Sequence, residues 1–456
     1  MGTPFEGRRE LLDIPGFTSE PGKPLPNDDL DLQLIWLTAM EEYGPFGVNE
    51  RILGEYWLNY IPPHWNEYGL GKSNMKAGLP PPLSGDHENV WKHSNGAWIR
   101  SEIWACCMPG RPDLVTKYAY YDACVDHGTG EGTYAELFTA TLESAAFVES
   151  DRIKLIEIGL SYIPEDCRVA RSVRMVLDCY KSGKDWKDTR AQVLDDSEDL
   201  GWFQAPANVA FTMIGWLYGE GDYKKSLLIA INCGDDTDCT GATLGSIMGI
   251  IGGYDCIPKD WIAYVGDDII SVAIDRGSLA GRLPNTCTEL ANRVIALSSQ
   301  VLAAYRTDIT VSDAPADLSV RNGDKLFAQP EYKEWLAKID GSIVYNFIHT
   351  TVRVKYINGV AVGADKDAEI EITCINNMPN DQHFDIAYYL PESLRLVKGA
   401  KHMNLMAISS TSAPVKTFNI ILGAGEFLES RNRGVIQIVA HDRPTVILIP
   451  ILLFGE

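Results

Sequence analysis

From about residue 29 to residue 305, apolar residues recur every three or four positions, as in DLDLQLIWLTAMEEYG (29–44), TYAELFTATLESAAFVES (133–150) and RVARSVRMVLDCYKSG (168–183). That is the period of helices that bury one face. Short breaks at Pro109-Gly110, Pro164-Glu165 and Gly219 to Asp222 end one helix and begin the next. Helices joined so closely pack as a bundle, and the pattern predicts an all-α domain over residues 1–305. The stretch from about 61 to 97 contains GLPPPLSGDHENV (78–90) and reads as irregular; loops of that length in a compact domain tend to serve function. After about residue 306 the period falls to two, in TTVRVKYI, AEIEITCI, FDIAYYL, FNIILGAG and TVILIPILLF. This predicts an all-β sandwich domain over residues 306–456. His349, His383, His402 and His441 lie far apart along it, so it reads as an accessory module, with a sugar- or protein-binding role as the alternative.

Composition narrows the partners. The 456 residues suggest two domains, and 45% hydrophobic with 22% charged residues is a globular balance. No apolar run reaches the roughly 18 to 20 residues that cross a bilayer. A formal net charge of −22 opposes binding to phosphate backbones, so nucleic acid is not an expected partner. Ten Cys without a CxxC pair signal neither a zinc site nor a disulfide framework, and most are expected to be buried thiols. The start, MGTPFEGRRELL, lacks a signal-peptide pattern, which fits a cytoplasmic enzyme; a segment missing ahead of it would leave a secreted or periplasmic one open.

The chemistry concentrates in INCGDDTDCTGATLGSIMGIIGG (231–253), where Asp235, Asp236 and Asp238 crowd together and Gly241, Gly245, Gly249 and Gly253 follow every fourth residue. A calcium loop opening at Asp236 would need Glu where Ile247 stands. A haloacid dehalogenase-type phosphatase motif, Asp236-x-Asp238-x-Thr240 with VGDD at 265–268, would need a parallel sheet where helices are predicted. Residues four apart share a helix face, so the glycines predict a bare ridge for close helix packing, with the acidic turn deep in the bundle. Crowded carboxylates there call for a hard divalent cation. One turn supplies too few ligands, and PNDDLDLQLIW offers a second cluster, Asp28, Asp29 and Asp31, with Asn27 beside it.

With these two clusters the first 300 or so residues resemble the ADP-ribosylglycohydrolase family, which includes the dinitrogenase reductase-activating glycohydrolases and the eukaryotic ADP-ribosylhydrolases. GDDTDCTGATLG resembles the family's Gly-Asp-x-Asp-[Thr/Ser] metal motif, and Asn27-Asp28-Asp29 its Thr-Asp-Asp motif. The resemblance implies metal ligation by Asn27, Asp28, Asp29, Asp236, Asp238 and Cys239, for Mg²⁺ or Mn²⁺, two ions in the full arrangement. It implies a catalytic role for Glu6 of MGTPFEGR, with Asp29 and Asp236. It implies that SNGAWIRS, through Asn95, Gly96, Ala97 and Arg100, holds a diphosphate and ribose, and that His127 lines the substrate cleft. The implied activity is metal-dependent hydrolysis of an ADP-ribosyl, ribofuranosyl bond on a protein side chain or small molecule. A glycosidase of the same fold acting on a non-nucleotide furanoside, or a non-catalytic ADP-ribose binder, are the alternatives. Asn27 stands where the family has Thr, and Cys239 where it has Thr or Ser, which puts the second ion in question because a thiol is a poor Mg²⁺ ligand. The family's first helix has no counterpart before Met1, and well-known members lack the C-terminal β-domain.

Overall fold

The structure is a computed structural model that describes residues 1–314, 323–339 and 341–456. The chain divides into two compact units, Met1–Met75 with Ser84–Glu334, and Lys76–Leu83 with Trp335–Glu456. The helices are α1 (Asp28–Gly47), α2 (Glu50–Tyr60), α3 (Asn66–Ala77), α4 (Leu83–Asp86), α5 (Glu102–Cys107), α6 (Pro112–Ala123), α7 (Glu131–Ala146), α8 (Arg152–Ser161), α9 (Arg168–Lys181), α10 (Trp186–Asp196), α11 (Ala205–Tyr218), α12 (Tyr223–Asn232), α13 (Thr237–Gly252), α14 (Lys259–Val265), α15 (Cys287–Ala304) and α16 (Pro330–Ile339). The expectation that residues 61–97 are irregular is corrected by α3 and α4, which fall inside that stretch.

Three helices form the interior of the first unit. In α11 every residue but Tyr218 is buried, in α7 every residue but Tyr134, and α1 buries ten residues including Leu34, Ile35, Trp36 and Leu37. Helices buried on nearly every side, as α7 and α11 are, belong at a bundle's centre. Trp36 of α1 lies 6.0 Å from Trp57 of α2 and 6.4 Å from Trp104 of α5, ring centre to ring centre, which pins three helices together. The glycine ridge of α13 is half realised. A Cβ on Gly241 or Gly245 would come within 3.1 Å of Ile231 or Tyr223 on α12, but Gly249 has open space, and Gly253, at φ 67°, ends the helix. The ridge therefore serves the N-terminal half of α13, where the carboxylates are.

The second unit is built from β1 (Ile343–Asn346), β2 (Thr350–Tyr356), β3 (Ala361–Val362), β4 (Ala368–Asn376), β5 (Gln382–Tyr389), β6 (Leu394–Lys398), β7 (His402–Ala407), β8 (Val415–Ala424), β9 (Arg431–Ala440) and β10 (Val446–Gly455). They form two five-stranded sheets, β1-β2-β4-β8-β6 and β3-β10-β9-β5-β7. All pairings are antiparallel except β10 with β3. Alternate residues point into one core, Val352, Val354, Ile370 and Ile372 from one sheet and Phe384, Ile386, Ile436, Ile438 and Ile449 from the other. The sheet register also corrects the dispersed reading of the histidines: His441, just past β9, pairs with His383 of β5, and their rings lie 5.9 Å apart.

Candidate active site

The two acidic helix starts meet. Asn27 caps α1 by accepting the Asp29 N–H at 2.7 Å, and the same side chain donates from Nδ2 to Asp238 Oδ2 at 2.7 Å. Asp236 is the N-cap of α13 and accepts the Cys239 N–H at 3.4 Å; the Cys239 thiol donates to Asp29 Oδ1 at 3.4 Å. Carboxylates at both helix N-termini are favoured by the backbone dipoles, which explains why each cluster forms locally. The N-terminal segment completes the arrangement. A Cβ at Gly2 would sit 2.2 Å from the Thr237 carbonyl oxygen, so the chain approaches α13 as only glycine allows. Gly7 N–H donates to the Asp235 carbonyl at 2.9 Å and Asp235 N–H to the Arg8 carbonyl at 2.6 Å, which holds Glu6 beside Asp28 and Asp238.

The electrostatics of this cluster are dominated by burial and mutual repulsion. Burial, reinforced by Asp238, Asp28 and Asp236, holds the Asp29 carboxyl well above the usual range, and burial with Asp238 does the same to Asp236. Asp28 is raised by burial, against a 2.8 Å hydrogen bond from Tyr68. Glu6 is an exposed residue, yet its carboxyl is enclosed enough that desolvation, with Asp238 and Asp28, pushes it up to about 7. Cys239 is raised too, so it is a thiol rather than a thiolate. Asp238 Oδ1 is buried without a hydrogen-bond partner. One ligand atom each from Asp236, Asp238 and Cys239 lie within 4.8 Å of one another, a group that could hold an ion. Oxygen-rich, mutually repelling and short one partner, this donor set fits a hard divalent cation.

The other expected residues divide between the cluster and its surroundings. Asn95 reaches the cluster, donating to Asp236 Oδ2 at 2.7 Å while accepting from Trp98 Nε1 at 3.1 Å. Arg100 is fully buried, with Nε on Asp122 Oδ1 at 2.8 Å, Nη2 on Asp126 Oδ1 at 2.7 Å and Nη1 on the Gly96 carbonyl. His127 is equally buried between Ser94 Oγ at 3.1 Å and Asp126 Oδ1 at 2.9 Å. A Cβ on Gly96 would meet Glu67 Oε1 at 2.0 Å, and Ala97 is buried. Arg100 and His127, expected at the diphosphate and in the cleft, are both engaged in holding the Ser94–Arg100 segment against α6 and the residues after it. Asp31 is likewise structural, accepting the N–H groups of Val272 and Ala273 at 2.6 and 2.7 Å.

Sequence reasoning missed several neighbours. Asn208 of α11 accepts the Asp236 N–H at 3.1 Å, and Asp235, at φ 65°, accepts the Phe203 N–H at 2.7 Å. This last bond sets the aromatic run Trp202-Phe203 beside Gly7, with Trp202 40% exposed and 6.4 Å from Trp91. No local pattern marks GWFQ as part of a site; only its tether to Asp235 does. A cavity of about 740 Å³ is lined by Gln33, Glu102, Cys106, Leu290 and Val294 among others, without any of the clustered aspartates.

The family model for ADP-ribosylglycohydrolase matches residues 1–294. The chain belongs to the ADP-ribosylglycohydrolase family. Membership supports glycosyl-bond hydrolysis as the class of reaction. No curated protein matches the chain at a significant level. Among solved structures, a FixG-related protein from Vibrio parahaemolyticus aligns at 9% identity and TM-score 0.20, over 24% of this chain and 96% of that one. Pseudomonas fluorescens alkylpurine DNA glycosylase AlkC, bound to DNA containing an abasic site analog, aligns at 9% identity and TM-score 0.14, over 70% of this chain and 96% of that one. Among the described residues of this ADP-ribosylglycohydrolase-family chain, no helix is long and apolar enough to cross a membrane.

Proposed function

We propose that the protein is a metal-dependent hydrolase that cleaves an ADP-ribosyl, ribofuranosyl bond on a protein side chain or a small molecule. The observation that carries this reading is the junction of Asp28 and Asp29 with Asp236 and Asp238 through the Asn27–Asp238 and Cys239–Asp29 hydrogen bonds. Those four aspartates would hold Mg²⁺ or Mn²⁺, whose bound form neutralises them and polarises oxygen ligands. Around them the chain's own groups have separate tasks. Glu6, pushed up to about 7, can take or return a proton near neutral pH at the edge of the cluster. Asn95 and Asn208 fix the Asp236 carboxylate and backbone, and Tyr68 fixes Asp28. The exposed Trp202 supports a substrate with a flat ring.

One observation favours a second reading, a non-catalytic ADP-ribose binder. The Asn27 amide oxygen is committed to the Asp29 N–H and the Cys239 thiol to Asp29, so both departures from the family motif withhold a ligand atom. The discriminating experiment follows free ADP-ribose by mass spectrometry after incubation with mono-ADP-ribosylated proteins, in Mg²⁺ and in EDTA. Release in Mg²⁺ that EDTA abolishes and Asp236→Ala eliminates is the expected result. Turnover retained by folded Asp236→Ala overturns the assignment, and tight ADP-ribose binding without release in Mg²⁺ or Mn²⁺ favours the binder.

A further inference from the structure

On the outer face of the sheet β3-β10-β9-β5-β7, three strand-borne polar side chains converge. His383 is the second residue of β5 and is exposed; Asp385 follows two residues later on the same face; His441 lies just past β9, its N–H bonded to the His383 carbonyl at 2.9 Å. His441 Nε2 lies 2.7 Å from Asp385 Oδ2, and Asn404 of β7, directly opposite Asp385, donates to Asp385 Oδ1 at 3.0 Å. The imidazoles of His383 and His441 are nearly parallel, 22° between planes, with ring centres 5.9 Å apart. Met406 of β7 faces His383 across the strand pair and is 45% exposed.

We propose that His383 and His441 form a binding site for a late first-row divalent ion, Zn²⁺ or Cu²⁺, with Asp385 as the carboxylate that orients His441. Metal–nitrogen bonds of about 2.0–2.1 Å place two imidazoles on one ion with ring centres about 5 to 6 Å apart, and the 5.9 Å here falls in that range once the two exposed rings turn a nitrogen each toward the ion. A carboxylate on one ring nitrogen fixes the tautomer and leaves the other nitrogen free to ligate, the arrangement found around metal-bound histidines. Imidazole suits these ions, whereas Mg²⁺ prefers oxygen donors. The site is chemically distinct from the aspartate cluster of the first unit, which offers oxygen and sulfur but no imidazole. The ligands sit on paired strands, so the ion would cross-link the start of β5 to the chain leaving β9.

The test uses the full chain and Cu²⁺, followed by electron paramagnetic resonance. Wild type is expected to show hyperfine coupling to two nitrogens at one equivalent. His383→Ala and His441→Ala should each remove that signal and weaken binding at least about tenfold, and Asp385→Asn should weaken it about tenfold with the nitrogens retained. His402→Ala should change neither. Because all four residues are exposed, thermal melts without metal should be unaltered, which separates loss of ligands from loss of fold. Two-nitrogen coupling that survives in both His383→Ala and His441→Ala, or its absence in wild type, overturns the proposal.

Discussion

Replacing Arg100 by Met separates a structural cation from a ligand-binding one. The guanidinium is 0% exposed, makes charge-assisted bonds to Asp122 at 2.8 Å and to Asp126 at 2.7 Å, and lies 5.0 Å from the Trp57 ring. Methionine keeps most of the stem volume but leaves two buried carboxylates without their cation, and removing one partner from a buried ion pair costs about 3–5 kcal/mol. Unfolding entropy of about 2.1 cal/mol/K per residue makes that a melting-temperature loss of roughly 4 to 8 °C for a domain of about 300 residues. The deficit should be larger at pH 8 than at pH 5. Burial already raises Asp122 to about 6, and without Arg100 the exposed cost is that of keeping the carboxylates ionised. Calorimetry of Arg100→Met at the two pH values, beside titration with ADP-ribose, measures both quantities. A variant that melts like wild type but binds ADP-ribose far more weakly would refute the argument and restore Arg100 to the phosphate.

Asp29→Asn should abolish turnover yet raise the melting temperature in EDTA at pH 8, because it removes one of the mutually repelling buried carboxylates; a lower melting temperature in EDTA would mean that the cluster is not repulsive. Glu50, on the first turn of α2, is pushed up to about 7 by burial and its Oε2 lacks a hydrogen-bond partner. With a folded value above the unfolded 4.5, it binds more protons when folded, so stability falls as pH rises through this window and levels off above 7. Glu50→Gln should therefore exceed wild type by roughly 3 kcal/mol at pH 8 and match it near pH 4.5 in urea denaturation; equal stability at pH 8 would contradict this.

What was legible in the sequence depended on whether the signal was local. Apolar spacing reveals α1, α7 and α9, and period two reveals β2, β4, β5, β8 and β10, since each pattern is complete within one element. Helix α3 escaped because its buried face is polar: Lys72 is 2% exposed and donates to the carbonyls of Ile61 at 2.6 Å and Pro62 at 3.1 Å, bonds that no hydropathy pattern contains. The meeting of His383 with His441 escaped because it is a matter of strand register.

For the site, charge crowding was visible but compensation was not. Asp31, Asp122 and Asp126 are as buried as Asp29 and Asp236. Asp31 Oδ2 accepts two backbone N–H groups, though its Oδ1 is left without a partner, and Asp122 and Asp126 pair with Arg100, which draws Asp126 below its ordinary value despite burial. Asp29 and Asp236 receive only amide and thiol partners, with no cation among them. The sequence marks Asp31 alongside Asp28 and Asp29 without telling it apart from them, and gives Asp122 and Asp126 no signal. At the starts of α1 and α13 the fold crowds Asp28, Asp29, Asp236 and Asp238 together, with the buried Glu102 close to Asp29, and a divalent ion is the charge that would neutralise such a set.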